Sequence, residues 1–81
     1  MPTPSTLIVG AAGAVGKRLC AALSAQGTRV IASDRMADLP GSLKRVVASA
    51  GGTSVGNVDV CDPEALNQLF KEHADENTTV W

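Results

Sequence analysis

Aromatic side chains are almost absent from this sequence: its 81 residues include one Phe, one Trp and no Tyr. A surface that stacks nucleic-acid bases needs such rings in series, so a single-stranded nucleic-acid platform is not expected. An excess of one charge is missing as well. Seven Lys and Arg against eight Asp and Glu leave a net charge of −1, which gives neither nucleic acid nor an anionic membrane surface a reason to bind. Cysteine is scarce, with only Cys20 and Cys61 present. They are too few for a disulfide framework and lie in no metal-ligand spacing, and they fit a reducing compartment as small buried hydrophobes. No apolar run approaches the roughly 20 residues that a membrane-crossing helix needs. The opening MPTPST is short, polar and uncharged, unlike a secretory or transit sequence. The expectation is one small cytoplasmic domain, which at this length buries only about 60% of its unfolded surface.

What is present is a regular alternation of short apolar runs and amphipathic stripes. Residues 6–9 read as a strand covered on both faces. Over residues 14–26, Val15, Leu19 and Leu23 recur every four positions, widened by Cys20 and Ala22, with Lys17, Arg18 and Ser24 towards the other side. That is an amphipathic helix, and Gly27 stands where a left-handed cap is expected. Arg29–Ser33 is a second strand, closed by Asp34 and Arg35. MADLPGS reads as a loop with its turn at Pro40-Gly41. Leu43, Val46, Val47 and Ala50 then mark a second helix, stopped by Gly51-Gly52.

Residues 53–60 form a third strand candidate, weakened by Gly56 and Asn57. Asp62-Pro63-Glu64 starts a third helix with a capping carboxylate, a proline in the first turn and an acid beside it. Leu66, Leu69 and Phe70 are its expected buried stripe. His73, in its last turn, suits the helix dipole and has a structural role. Residues 78–81 open a fourth strand. Strand and helix thus alternate β-α-β-α-β-α-β, and parallel strands need such crossovers. The expected fold is α/β, an open doubly wound parallel sheet with strand order 3-2-1-4.

The stretch VGAAGAVGKRL sets Gly10, Gly13 and Gly16 between the first strand and the first helix. One reading is a small-residue helix start that packs closely on a sheet. The other is a phosphate-binding turn, in which a helix N-terminus offers free N–H groups and a partial positive charge. In that reading Gly10 permits the tight exit from the strand and Gly13 the close approach of phosphate. Gly16 lets the helix lie on the sheet, and the N–H groups of Ala14 and Val15 face the ligand. Context favours the phosphate. Asp34 ends the next strand 18 residues past Gly16, near the ~20 expected of an acid that binds the adenosine ribose. The dinucleotide expected is NAD, since a carboxylate repels the 2′-phosphate of NADP, although the neighbouring Arg35 could pair with that phosphate.

TLIVGAAGAVGKRL, RVIASDR and NVDVCDPEALNQLF together resemble the start of an extended short-chain dehydrogenase/reductase, of the NAD-dependent epimerase and dehydratase group. The resemblance covers essentially the whole chain. Gly10, Gly13 and Gly16 match that group's G-x-x-G-x-x-G without a gap, and Asp59-Val60 match its Asp-hydrophobic pair. The resemblance implies a Rossmann-type half-sheet over residues 1–81, with the Asp59 carboxylate and the Val60 N–H on the adenine edge. VIASD and LNQLFKEH…TTVW are most similar to bacterial-type L-threonine 3-dehydrogenases.

The group's chemistry implies a Tyr-x-x-x-Lys pair, and this chain has no tyrosine to fill that role. The expectation is therefore an NAD-binding N-terminal segment of an oxidoreductase or epimerase, cut within its fourth strand and catalytically incomplete. The alternatives are a freestanding non-catalytic module, serving as a structural or assembly subunit, and a packing-only scaffold. The fourth strand, with Val80 and Trp81, is expected to leave an open sheet edge that pairs with another copy or a larger partner.

Overall fold

The structure, a computed structural model, describes residues 4–74 and 78–80. The elements run β1 (Ser5–Val9), α1 (Ala14–Ala25), β2 (Arg29–Ser33), α2 (Gly41–Ser49), β3 (Thr53–Val55), α3 (Pro63–His73) and β4 (Thr78–Val80). All strand pairings are parallel, and the four-stranded sheet has the order β3-β2-β1-β4. β1 is central, matching Ser5–Val9 with Arg29–Ser33 on one side and Ser5, Thr6 and Leu7 with Thr78, Thr79 and Val80 on the other. The Ser5 and Thr78 hydroxyls meet at 2.8 Å across the second pairing.

Strand alternation sends neighbouring side chains to opposite faces, and both faces are covered. Ile8, Val30 and Ala32 pack on one face with Ala11, Cys20, Leu39, Leu43 and Val47, which places α1 and α2 there. Leu7 and Ile31 point the other way, to Val58 and Leu69, so α3 covers the second face. The α/β half-sheet and its strand order are those expected from the sequence.

Local signals account for the ends of the helices. The Asp62 carboxylate accepts from the N–H of Glu64 at 3.1 Å and of Ala65 at 3.5 Å, capping α3 behind Pro63. α1 closes at Gly27, which has φ +80°. The N–H of Thr28 donates to the Leu23 carbonyl and that of Gly27 to the Ser24 carbonyl, a paired closure of the last turn.

Several expectations are corrected. The buried side of α1 is not the Val15–Leu19–Leu23 stripe. Val15 is 79% exposed and Ala22 is exposed, whereas Cys20 and Ser24 are buried and Leu19 and Leu23 only partly so. The helix turns the Gly16–Cys20–Ser24 side to the sheet because Gly16 lets it approach the preceding turn closely. Phe70, placed in the buried stripe of α3, is 36% exposed, and Leu69 is the deeply buried member. β3 stops at Val55 instead of running to residue 60. Asn57 adopts φ +58°, and the chain leaves the ladder to follow the loop after β2, with Asn57 N–H on the Met36 carbonyl and Val58 N–H on that of Asp34. Pro40 is the N-cap of α2 and Gly41 its first residue, so the helix starts inside the expected loop. Trp81, expected to continue β4, lies outside the described residues.

The cysteines also part company. Cys20 is buried, and Cys61, expected to be buried, is exposed. Burial pushes the Cys20 thiol up, keeping it protonated and unreactive at neutral pH. N-ethylmaleimide is therefore expected to modify Cys61 alone in the native chain and Cys20 only after denaturation. Equal labelling rates, read by mass spectrometry, would show that α1 is not seated on the sheet. Among the described residues no helix is long and apolar enough to cross a membrane.

Candidate functional site

The direction of winding reverses between β1 and β4, and in such sheets ligands bind beyond the strand ends at that reversal. There the turn after β1 meets the loops after β2 and β3 around a cleft of about 490 Å³. Gly10, Ala12 and Gly13 form one wall, Asp34, Arg35 and Met36 the second, and Val58, Asp59, Val60 and Cys61 the third. A second cleft, of about 420 Å³, opens on the other side of the turn between Ile8, Val9, Leu19 and the start of α1. Gly10 and Gly13 line both, so the two clefts meet at the glycine turn.

Each of the three glycines answers a different demand. Gly10 has φ +77°, a left-handed conformation that strains other residues. At Gly16 a Cβ would lie 2.4 Å from the Gly10 carbonyl oxygen and 2.7 Å from the Ala11 Cα, so packing alone forbids a side chain there. Gly13 is under neither constraint. Its φ of −72° and ψ of 167° suit any residue, and a Cβ would meet only the Gly10 oxygen at 3.4 Å.

Gly13 is also the N-cap of α1, where a Ser, Thr or Asp would close the helix with its own oxygen. No side chain caps this end, and no acid stands in the first turn. The Lys17 N–H reaches the Gly13 carbonyl at 2.9 Å. Among the described residues the N–H groups of Ala14, Val15 and Gly16 have no such partner. The result is an uncapped positive helix end, with bare backbone in front of it, at the junction of two clefts.

Asp34 stands half-buried beside this turn. Its Oδ2 accepts from the Ala12 N–H at 3.0 Å and its Oδ1 from the Met36 N–H at 3.2 Å. Arg35 is exposed at the cleft, with no hydrogen-bond or ion-pair partner among the described residues. The exposed Asp59 accepts the Cys61 N–H on its Oδ1 at 2.9 Å, next to the 55% exposed Val60.

A family model, described as NAD dependent epimerase/dehydratase family, matches residues 6–78. The chain belongs to the NAD-dependent epimerase/dehydratase family. No curated protein and no solved structure gives a significant match. Members of this family depend on NAD(P), and the residues here fit the adenosine diphosphate part of such a cofactor. The uncapped end of α1 matches its pyrophosphate, and the apolar walls and carboxylates of the larger cleft match its adenosine.

The two clefts gather the expected residues unevenly. Gly10, Gly13, Asp34, Arg35, Asp59 and Val60 share the larger cleft. Ala14, Val15 and Gly16 line the smaller one, with Gly10 and Gly13 common to both. Ala12, Met36, Val58 and Cys61 also line the larger cleft and were not singled out from the sequence. Met36 lay within reach of such reasoning, since the loop that follows the strand-ending acid must form part of the wall. Among the described residues no cluster of His, Cys, Asp and Glu could hold a metal ion.

Proposed function

We propose that this chain binds NAD, with the pyrophosphate on the open end of α1 and the adenosine in the cleft between Asp34 and Val60. The observation that carries this reading is Gly13, a glycine that neither backbone conformation nor packing requires, set before unpartnered N–H groups. The two clefts that meet there offer room for the two halves of a dinucleotide. Asp34 sits where it can accept from the ribose hydroxyls, and each of its oxygens keeps a lone pair beyond the bonds it already makes. Asp59 and Val60 supply the adenine edge.

NAD is preferred over NADP because the Asp34 carboxylate repels a 2′-phosphate, a repulsion that the exposed Arg35 only partly offsets. Calorimetry is expected to give tighter binding for NAD than for NADP in the wild-type chain, and a narrower ratio in Asp34→Ala. Tighter binding of NADP by the wild type would reverse the assignment.

The parent reaction is an NAD-dependent oxidation or epimerisation in the cytoplasm. The resemblance to threonine 3-dehydrogenases makes L-threonine the first substrate to offer. The absence of tyrosine means that the family's proton-transferring residue is not supplied by these 81 residues. The chain on its own thus serves as the cofactor-holding part of an active site, or as a non-catalytic assembly module.

Either role gives the edge of β4 a partner. Among the described residues β4 is the outermost strand on that side and carries the 52% exposed Val80, while the exposed Val15 and half-buried Leu19 lie on α1. Another copy, or a larger partner, adds a strand there. Sedimentation at micromolar concentration is expected to show association, with slow hydrogen exchange over residues 78–80. A stable monomer whose edge exchanges rapidly overturns this.

A further inference from the structure

Asp34 touches more of the site than a reader of ribose needs to. Its backbone N–H donates to the Val55 carbonyl at 3.2 Å, and its carbonyl accepts from the Val58 N–H at 3.0 Å, which fixes the segment after β3. Its carboxylate holds the Met36 N–H in the loop after β2 and, across 22 residues of sequence, the Ala12 N–H in the turn after β1. One residue therefore joins the three walls of the larger cleft.

We propose that Asp34 is a positioning residue that assembles the nucleotide cradle before the nucleotide arrives, in addition to any contact it makes with the ribose. The physical argument starts at Ala12. Among the described residues its N–H has the Asp34 carboxylate as acceptor, and Ala12 is partly buried between Ala11 and the cleft. Hydrogen bonds to an ionised acceptor are the stronger kind, and a partly buried donor that loses its acceptor is costly to leave unmade. Ala11 is already tied to the Ser33 carbonyl at 2.9 Å, and Gly13 bonds back to the Gly10 carbonyl at 3.1 Å. Ala12 lies between these two anchors, and its bond to Asp34 fixes the peptide in front of the open helix end. Without it the turn samples other conformations, and apparent affinity falls by the fraction of molecules still competent to bind. The backbone bonds of Asp34 survive replacement of the side chain, so the two carboxylate bonds can be tested separately from the sheet.

This inference rests on the dinucleotide reading for its binding arm only. That arm uses ADP and 2′,3′-dideoxyadenosine 5′-diphosphate, which lacks the hydroxyls a ribose reader needs. Asp34→Ala is expected to weaken the dideoxy probe on the order of tenfold. If it weakens ADP but leaves the dideoxy probe unchanged, Asp34 only reads ribose and the proposal fails. The second arm uses no ligand. In Asp34→Ala, hydrogen exchange at the Ala12 and Met36 amides is expected to speed up while Val30, inside the sheet, stays protected. Unchanged protection at Ala12, or equal loss at all three amides, overturns the proposal. Should Asp34→Ala unfold, Asp34→Asn decides by the same exchange measurement, because its single acceptor oxygen can replace one carboxylate bond but not both. If the wild-type chain binds neither probe, the dinucleotide reading falls, and the exchange arm still decides whether Asp34 assembles the cleft.

Discussion

Gly16→Ala is expected to lower the melting temperature by roughly 8–16 °C, the equivalent of about 2 kcal/mol in a domain of this size. A Cβ at residue 16 would lie 2.4 Å from the Gly10 oxygen, 2.7 Å from the Ala11 Cα and 2.9 Å from its carbonyl carbon. All three are backbone atoms, and none can rotate aside. Ala11 is fully buried and bonded to Ser33, so the strand side cannot yield. α1 has to lift, drawing Cys20 away from Ile8 and Val30. Replacing glycine by alanine inside a helix gains about 1 kcal/mol of propensity, while overpacking of this kind typically costs 1–3 kcal/mol and occasionally more. With three backbone collisions from one methyl group, the upper part of that range applies and the propensity gain loses. Thermal unfolding followed by circular dichroism decides it. A melting temperature within a few degrees of wild type would mean that α1 does not approach the turn this closely.

The same contact explains what could and could not be read along the chain. β2 was legible because RVIAS is a short β-type run between a glycine cap and an acid, and it is buried from Val30 to Ser33. The start of α3 was legible because Asp62, Pro63 and Glu64 act within a single turn. The buried side of α1 was not, since hydrophobic periodicity selects Val15 whereas the close approach at Gly16 selects the side that carries Cys20 and Ser24. Cys20 and Ser24 follow Gly16 at successive four-residue steps down the side that meets the sheet. Residues 56–60 misled for a related reason. Their composition extends a strand, but Asn57 enters a left-handed conformation and the chain bonds to Met36 and Asp34 instead of to the β2 ladder.

At the site, the glycine spacing and the acid after β2 were visible as a pattern. The bond from Ala12 to Asp34 was not, because it joins two loops that only the β1–β2 pairing brings together. The different demands on the three glycines were also invisible, since spacing alone treats Gly10, Gly13 and Gly16 alike. Only the atoms around each position separate a conformational need from a packing need, and both from a surface kept bare.

That separation gives the sharpest test of the proposed function. Gly13→Val is expected to leave the fold intact and to weaken NAD and ADP by about 100-fold, the equivalent of nearly 3 kcal/mol. The fold survives because φ and ψ at Gly13 are open to side chains and a Cβ meets only the Gly10 oxygen, at an ordinary 3.4 Å. Glycine ranks well above apolar residues as an N-cap, so Gly13→Val costs about 1 kcal/mol of helix stability. Binding suffers because Gly13 lines both clefts, and the added methyl groups stand before the N–H groups of Ala14 and Val15. Each charge-assisted bond to phosphate is worth about 1.5–3 kcal/mol, so holding the pyrophosphate off by one methyl radius accounts for the loss. Gly13→Ala is expected to fall between Gly13→Val and the wild type. Calorimetry gives the affinities, and a melting curve recorded without ligand shows that the variant is folded. A folded Gly13→Val chain that binds NAD as tightly as the wild type removes the phosphate from this turn. Unfolding of Gly13→Val would instead assign Gly13 the packing role that the structure gives to Gly16.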